Sequence, residues 1–281
     1  MILDKVRTIA FNLAISKSIQ KDDIVFDLGS GSGILAFFAA KMGAKKVYAF
    51  ERTDMADIIM PLAKHNHLDD KIIVIKQEII GFDWASIEDK PTLIISETIG
   101  NLPPYEDIHA IFKSFSNHYK HNFKVIPESY KLSFFACRTK RLQHIKDNLG
   151  TKYDLSFGPL LDKILATPIY VQIVPDEVYS YEYYGPDISF FSDFPQKHQF
   201  ELEIIKEGEI ASIGVGFDLS VIKNINILNS PNSYKTSWLQ LILPLPESLY
   251  CYPSDVLRGE LIFPDAKDKK TWKWNVELFK K

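Results

Sequence analysis

Cysteine is nearly missing from this chain of 281 residues, which has only Cys137 and Cys251. Their separation has no metal-ligand spacing and implies no disulfide framework. No apolar run reaches about 18 residues, and no signal peptide is recognised, so neither a spanning helix nor secretion is expected. Basic surplus is also missing: 33 lysines and arginines face 36 acids, a net charge of −3. That balance argues against a nucleic-acid binder, which needs a basic stripe. It leaves basic peptide substrates open. Low-complexity tracts and internal repeats are absent. His65 and His67 lie two apart and do not share a helical face, so no metal site is expected. What remains is ordinary for a globular chain, 46% apolar and 25% charged, with enough length for one large domain or two modest ones. A reducing cytoplasm is the expected compartment, with no membrane and no nucleic acid as partner.

The most informative stretch runs from Ile24 to Glu51, IVFDLGSGSGILAFFAAKMGAKKVYAFE. An apolar run ends in Asp27. Gly29, Gly31 and Gly33 follow, then a helical pattern, then a second apolar run closed by Glu51. A turn without Cβ atoms lets a ligand lie against backbone at the start of a helix. An acid at the end of the second strand can hold two ribose hydroxyls. The dinucleotide fingerprint wants glycine at its sixth place, where this chain has Ile34. The turn instead resembles that of class I methyltransferases, which bind S-adenosylmethionine.

Strand patterns at 24–28, 46–51, 72–78 and 92–97 alternate with helix patterns at 33–42, 55–66 and about 105–121. Continuous apolar strands between helices imply a doubly wound parallel sheet. Before them, Asp4 to Ile19 reads as an amphipathic helix with Val6, Ile9, Phe11, Leu13 and Ile15 as its apolar content. Near Ile126 and Pro127 the period changes to two, in segments such as YKLSFFACR, HQFELEII and ASIGVGFDLSV. Such runs, punctuated by Asn and Pro, imply an antiparallel sandwich or barrel. The expected organisation is an α/β, Rossmann-like cofactor domain at 1–127 followed by an antiparallel β-barrel domain at 128–281. A helical, irregular piece at 141–161 could project as an arm. Trp272 and Trp274, alternating in the last strand, read as core.

Gly29, Glu51 and Glu97 all fall at strand carboxyl ends, where ligands of such sheets bind. Glu97 closes the fourth strand and Glu106 follows across a loop containing glycine and prolines. Two carboxylates turned toward one point can clamp a guanidinium, whose planar donors match them in pairs. Spacing alone also fits an ordinary strand-end acid and a helix first-turn acid.

With these residues in view, the chain resembles the protein arginine N-methyltransferases over nearly its whole length. DKVRT, the glycine stretch, SETIGNLPPYE and SWLQLILPL carry the likeness. The resemblance implies that Glu97 and Glu106 bind the substrate guanidinium. It implies that Asp27, Gly29, Gly31 and Gly33 line the cofactor site, that Glu51 holds the ribose and that Arg7 meets the cofactor carboxylate. Trp238 would support the substrate side, and 141–161 would be a dimerisation arm. Four departures stand out. The chain starts about where the family's lid helix ends. Ser237 replaces a histidine that normally pairs with an acid at Asp4. Pro103 and Pro104 stiffen the acceptor loop. Glu78 lies close to, but out of register with, the acid expected at adenine. The expected activity is methyl transfer to an arginine of a protein or peptide. A small guanidine or amine or a peptide natural product as substrate, or a catalytically weak scaffold, remain as alternatives.

Overall fold

The computed structural model describes residues 1–120 and 122–281. Helix α1 (Lys5–Ser18) is started by Asp4, whose carboxylate accepts the Arg7 N–H, the usual way an N-cap satisfies an orphan donor. Then follow β1 (Ile24–Leu28), α2 (Ile34–Lys41), β2 (Lys46–Phe50), α3 (Ala56–His65), β3 (Ile72–Ile75), β4 (Leu93–Ile95), α4 (Ile108–His118) and β5 (Lys124–Ile126). The five strands form one parallel sheet in the order β3-β2-β1-β4-β5. The order reverses between β1 and β4, which opens a crevice at their carboxyl ends. Phe26 in the central strand anchors the core under this crevice. Its ring lies 5.4 Å from Phe50 and 6.2 Å from both Trp84 and Phe115.

Two expectations about this half need correction. The buried stripe of α1 is Arg7, Phe11, Ala14 and Ile15, spaced by three and four. Ile9 and Leu13 sit on the opposite face and are exposed. The strand β5 has no counterpart in the sequence reading, because three residues are too few to show a period.

The change from parallel to antiparallel pairing falls between Ile126 and Ser129. The second half contains β6 (Ser129–Cys137), α5 (Lys140–Leu149), β7 (Thr151–Lys152), β8 (Leu155–Ser156) and α6 (Gly158–Leu165). It continues with β9 (Ile169–Val171), β10 (Tyr183–Tyr184), β11 (Ile188–Ser189), β12 (Lys197–Glu203), β13 (Gly208–Ile222) and β14 (Ile225–Leu228). It ends with β15 (Gln240–Cys251), β16 (Val256–Ile262) and β17 (Lys273–Phe279). A larger antiparallel ladder runs β10-β6-β13-β15-β9, and a smaller one runs β12-β16-β17. Their inner faces share apolar side chains; Phe134 stacks on Phe200 at 4.7 Å. The buried cluster is continuous from Phe11 and Phe26 through Phe217 to Trp272, so the two halves share one core. The helix–hairpin–helix of α5, β7, β8 and α6 stands away from it, and α6 has no buried residue.

Candidate active site

The loops after β1, β2 and β4 converge on a cavity of about 450 Å³. Gly29, Glu51, Glu78, Thr98, Tyr105 and Glu106 are among its walls, with Phe50, Ile79 and Ile111 as apolar surface. Gly29 has φ +82°, and a Cβ there would stand 2.3 Å from the Thr98 methyl. This position requires glycine on both counts. Glu51 organises the turn: its carboxylate accepts N–H bonds from Gly31 at 2.8 Å and Thr53 at 2.8 Å, and the Thr53 hydroxyl at 2.7 Å. Burial pushes the Glu51 carboxyl up, but these donors outweigh it and hold it below the usual range. An ionised acid beside a backbone cradle suits a vicinal diol.

Several expected cofactor contacts are placed elsewhere. Asp27 is fully buried behind the turn, not on the cavity wall, because its Oδ2 accepts the Ala36 N–H at 3.1 Å and so ties β1 to α2. Burial pushes its carboxyl up to about 7. Gly33, with φ +81°, lies where a Cβ would press on Ile59 and Phe37, both 3.0 Å away. Gly31 acts through its N–H to Glu51. Glu78 does line the cavity, and its carboxylate pairs with Arg52 at 2.8 Å.

Arg7 is also off the cavity wall. Its Nε binds Asp4 at 2.8 Å, one terminal nitrogen binds Glu97 at 2.7 Å and the other binds Ser237 Oγ at 2.6 Å. The guanidinium carbon lies 4.6 Å from the centre of the Trp238 ring, within cation–π range. Asp4 and Ser237 do meet, as the family resemblance implied. Asp4 Oδ2 accepts the Ser237 N–H at 2.7 Å and its hydroxyl at 3.0 Å. With Arg7 also bound, Asp4 is held below its usual range by these donors against the effect of burial, and it ties the start of α1 to the Ser237 segment. Burial dominates at Glu97, whose side chain is only 14% exposed, and pushes it up to about 7 against the pull of Arg7. Among the described residues, the Glu106 carboxylate has no hydrogen-bond partner.

Three further residues shape the site without a sequence signal that singled them out. Gly100 has φ +62°, and the Glu106 carboxyl carbon lies 2.5 Å from where its Cβ would be. Glu106 therefore folds over bare backbone. Asn101 Oδ1 accepts the Leu239 N–H at 2.8 Å, which fastens the acceptor loop to the segment carrying Ser237 and Trp238. Arg52 follows Glu51 directly and reaches the same cavity. Among the described residues no group of three or more metal-ligating side chains occurs.

A glycine turn at a switch point, an acid after β2 and two acids after β4 thus lie in a Rossmann-like half joined to an antiparallel sheet domain. Residues 8–96 match the family model described as ribosomal protein L11 methyltransferase (PrmA). Protein arginine N-methyltransferase 1 of Chlamydomonas reinhardtii is 27% identical over 285 residues, covering 96% of this chain and 81% of that protein. Its namesake in Saccharomyces cerevisiae is 26% identical over 289 residues, covering 96% and 81%. In structure, the Trypanosoma brucei PRMT1 enzyme–prozyme heterotetrameric complex with AdoHcy superposes with a TM-score of 0.86 at 19% identity, covering 99% of this chain and 91% of that one. Arabidopsis thaliana protein arginine methyltransferase 10 does so with 0.83 at 19% identity, covering 99% and 90%. The chain is thus similar to protein arginine N-methyltransferases along nearly its whole length.

Proposed function

We propose that this protein transfers a methyl group from S-adenosylmethionine to an arginine guanidinium of a protein or peptide. The observation that carries the reading is a guanidinium already held at Glu97: that of Arg7, 2.7 Å from the carboxylate and laid over Trp238. The Glu97 carboxylate has the chemistry to bind such a group, and Glu106, on the cavity wall, stands across the loop with its carboxylate free for a guanidinium. S-adenosylmethionine supplies a methyl group on a sulfonium. Glu51 and the Gly29–Gly31 turn would hold its ribose and amino-acid end, with Phe50, Ile79 and Ile111 beside the base.

A protonated guanidinium, with a pKa above about 12, is a poor nucleophile. Glu97 and Glu106 draw its positive charge toward two nitrogens and leave the third richer in electrons. Their second task is alignment, which can contribute up to about 7–11 kcal/mol in favourable cases. Incubation with isotopically labelled S-adenosylmethionine and mass spectrometry of free arginine, arginine–glycine peptide and protein acceptors tests the reading. Labelled methylarginine is expected in peptide or protein. Label in free arginine or an amine alone would move the assignment to a small-molecule methyltransferase. Glu97→Gln and Glu106→Gln should each abolish transfer with an unchanged circular dichroism spectrum; wild-type rates in both would end this mechanism.

A homodimer in the cytoplasm belongs to the same reading. The arm exposes Tyr153 by 90%, Leu155 by 60% and Leu160 by 47%. Helices α1 and α3 and the residues just before them expose Leu3, Ile9, Met55 and Ile58, an apolar counterpart for a second copy's arm. Both cysteines are free and buried, which suits a reducing compartment.

A further inference from the structure

Two strand edges face each other across a gap in the antiparallel domain. Among the described strands, β12 pairs only with β16, and β10 only with β6. The edges touch at one end, where Tyr181 N–H donates to the Glu203 carbonyl at 3.0 Å and Ser180 bridges Ile204. From there they part around a cavity of about 730 Å³. Alternate residues of a strand turn their backbone groups the same way. The Glu203 carbonyl faces the gap, so the N–H and C=O of Glu201 and Gln199 face it too. The opposite parity faces β16, as the Gln196 carbonyl shows by accepting from Phe263. An unpaired row of this kind is a template for an added strand.

The gap has a polarity of charge. Glu182, Glu201 and Glu203 line it against one cation, Arg258, which lies 2.8 Å from Glu201. Phe200 makes the floor, and Tyr181, 65% exposed, stands on the rim. The gap is tied to the turn that precedes the Ser237–Trp238 segment. Glu182 accepts the Ser230 hydroxyl and the Asn232 amide, and that turn leads along the chain to Ser237 and Trp238.

We propose that this gap docks an extended, basic segment of the polypeptide substrate. The segment adds as a strand to the free edge of β12. Its lysine or arginine side chains lie toward Glu201 and Glu203, while an arginine elsewhere in the same polypeptide occupies the acceptor site. The second half of this statement rests on the activity proposed above; the first does not.

Fluorescence anisotropy on the full chain separates the two. One labelled peptide carries alternating valine and lysine and no arginine; its control carries alternating valine and serine. The basic peptide should bind roughly fivefold more tightly or better, the scale of two exposed ion pairs, and the difference should shrink with salt. The double variant Glu201→Gln, Glu203→Gln should erase it. N-methylation of alternate backbone nitrogens in the peptide should erase it as well, which charge attraction alone would not do. Joined to a single acceptor arginine, the basic segment should lower KM and leave kcat unchanged in the wild type only. Equal binding of the two peptides, or an advantage that survives the double variant, would overturn the groove. Binding as expected without any methyl transfer would overturn the acceptor reading and leave the groove standing.

Discussion

At the scale of single residues, the site is governed by what burial does to Glu97. Its carboxyl is pushed up to about 7 from an ordinary 4.5, and holding a guanidinium requires the ionised form. kcat/KM, which reports the free enzyme, should therefore rise with pH and level off above about 7. A flat profile from pH 5 to 8 would show that Glu97 is ionised throughout and that burial has been outweighed by Arg7. The stability effect has the opposite sense. A carboxyl whose folded pKa is raised contributes fully below its unfolded pKa, and that contribution is lost as pH rises toward about 7. Asp27, also raised to about 7, acts in the same direction. Gly100 sets the other acid. Its φ of +62° and the 2.5 Å approach of Glu106 mean that Gly100→Ala must displace the carboxylate. A displacement of about 1 Å can cost about 100-fold in rate. Gly100→Ala should lose that much kcat/KM while cofactor affinity by calorimetry stays within twofold; an equal loss of both would place the defect in the fold. The strand-end places of Glu51 and Glu97 were legible in the sequence because acids closing apolar runs form a pattern, and Glu106 was legible as an acid in the turn that follows. Asn101 was not, because its role is one hydrogen bond to a residue far along the chain, and no local period records it.

At the scale of elements, existence was easier to read than orientation. The continuous apolar runs of β1 and β2 gave their bounds nearly to the residue. Helix α1 was also legible, but Ile9 and Leu13, counted as apolar content, face solvent. Arg7 takes a place on the buried stripe that a hydrophobicity pattern assigns to an apolar residue. Burying it there needs Asp4, Glu97 and Ser237 together, and only the folded chain collects them. Stability measurements distinguish the two faces. Phe11, fully buried, should cost about 3–5 kcal/mol when cut to alanine. Leu13→Ser on the exposed face should stay within about 0.5 kcal/mol. Urea unfolding monitored by tryptophan fluorescence reads both, and comparable losses would contradict the assigned faces. In the second half, alternation in segments such as Lys197–Glu203 showed the strands. It could not show their neighbours, because pairing such as β6 with β13 depends on contacts distant in sequence.

At the scale of the whole molecule, the continuous core joins the cofactor crevice and the antiparallel domain, whereas the arm is left without a core of its own. Its root rests on a small cluster that includes Leu142, Ile173 and Ile242. Its outer helix α6, GPLLDKIL, has no fully buried residue, and only Leu165 packs against that cluster. An amphipathic helix gains most of its stability from packing its apolar face, and the proposed dimer would complete that packing for α6. The exposed apolar side chains of α1 and α3 offer a surface for it on a second copy, and arms exchanged between two copies would close the assembly with two-fold symmetry. The double variant Tyr153→Glu, Leu155→Glu places charge on the tip without touching either core. It should shift sedimentation from dimer toward monomer at micromolar concentration and leave the thermal midpoint of the core transition nearly unchanged. The site-forming acids all lie in the core and not in the arm. A monomer that retained full methyl transfer would show that the arm serves assembly alone; a coupled loss would show that α1, which carries both Arg7 and part of the docking face, is set in place by the partner.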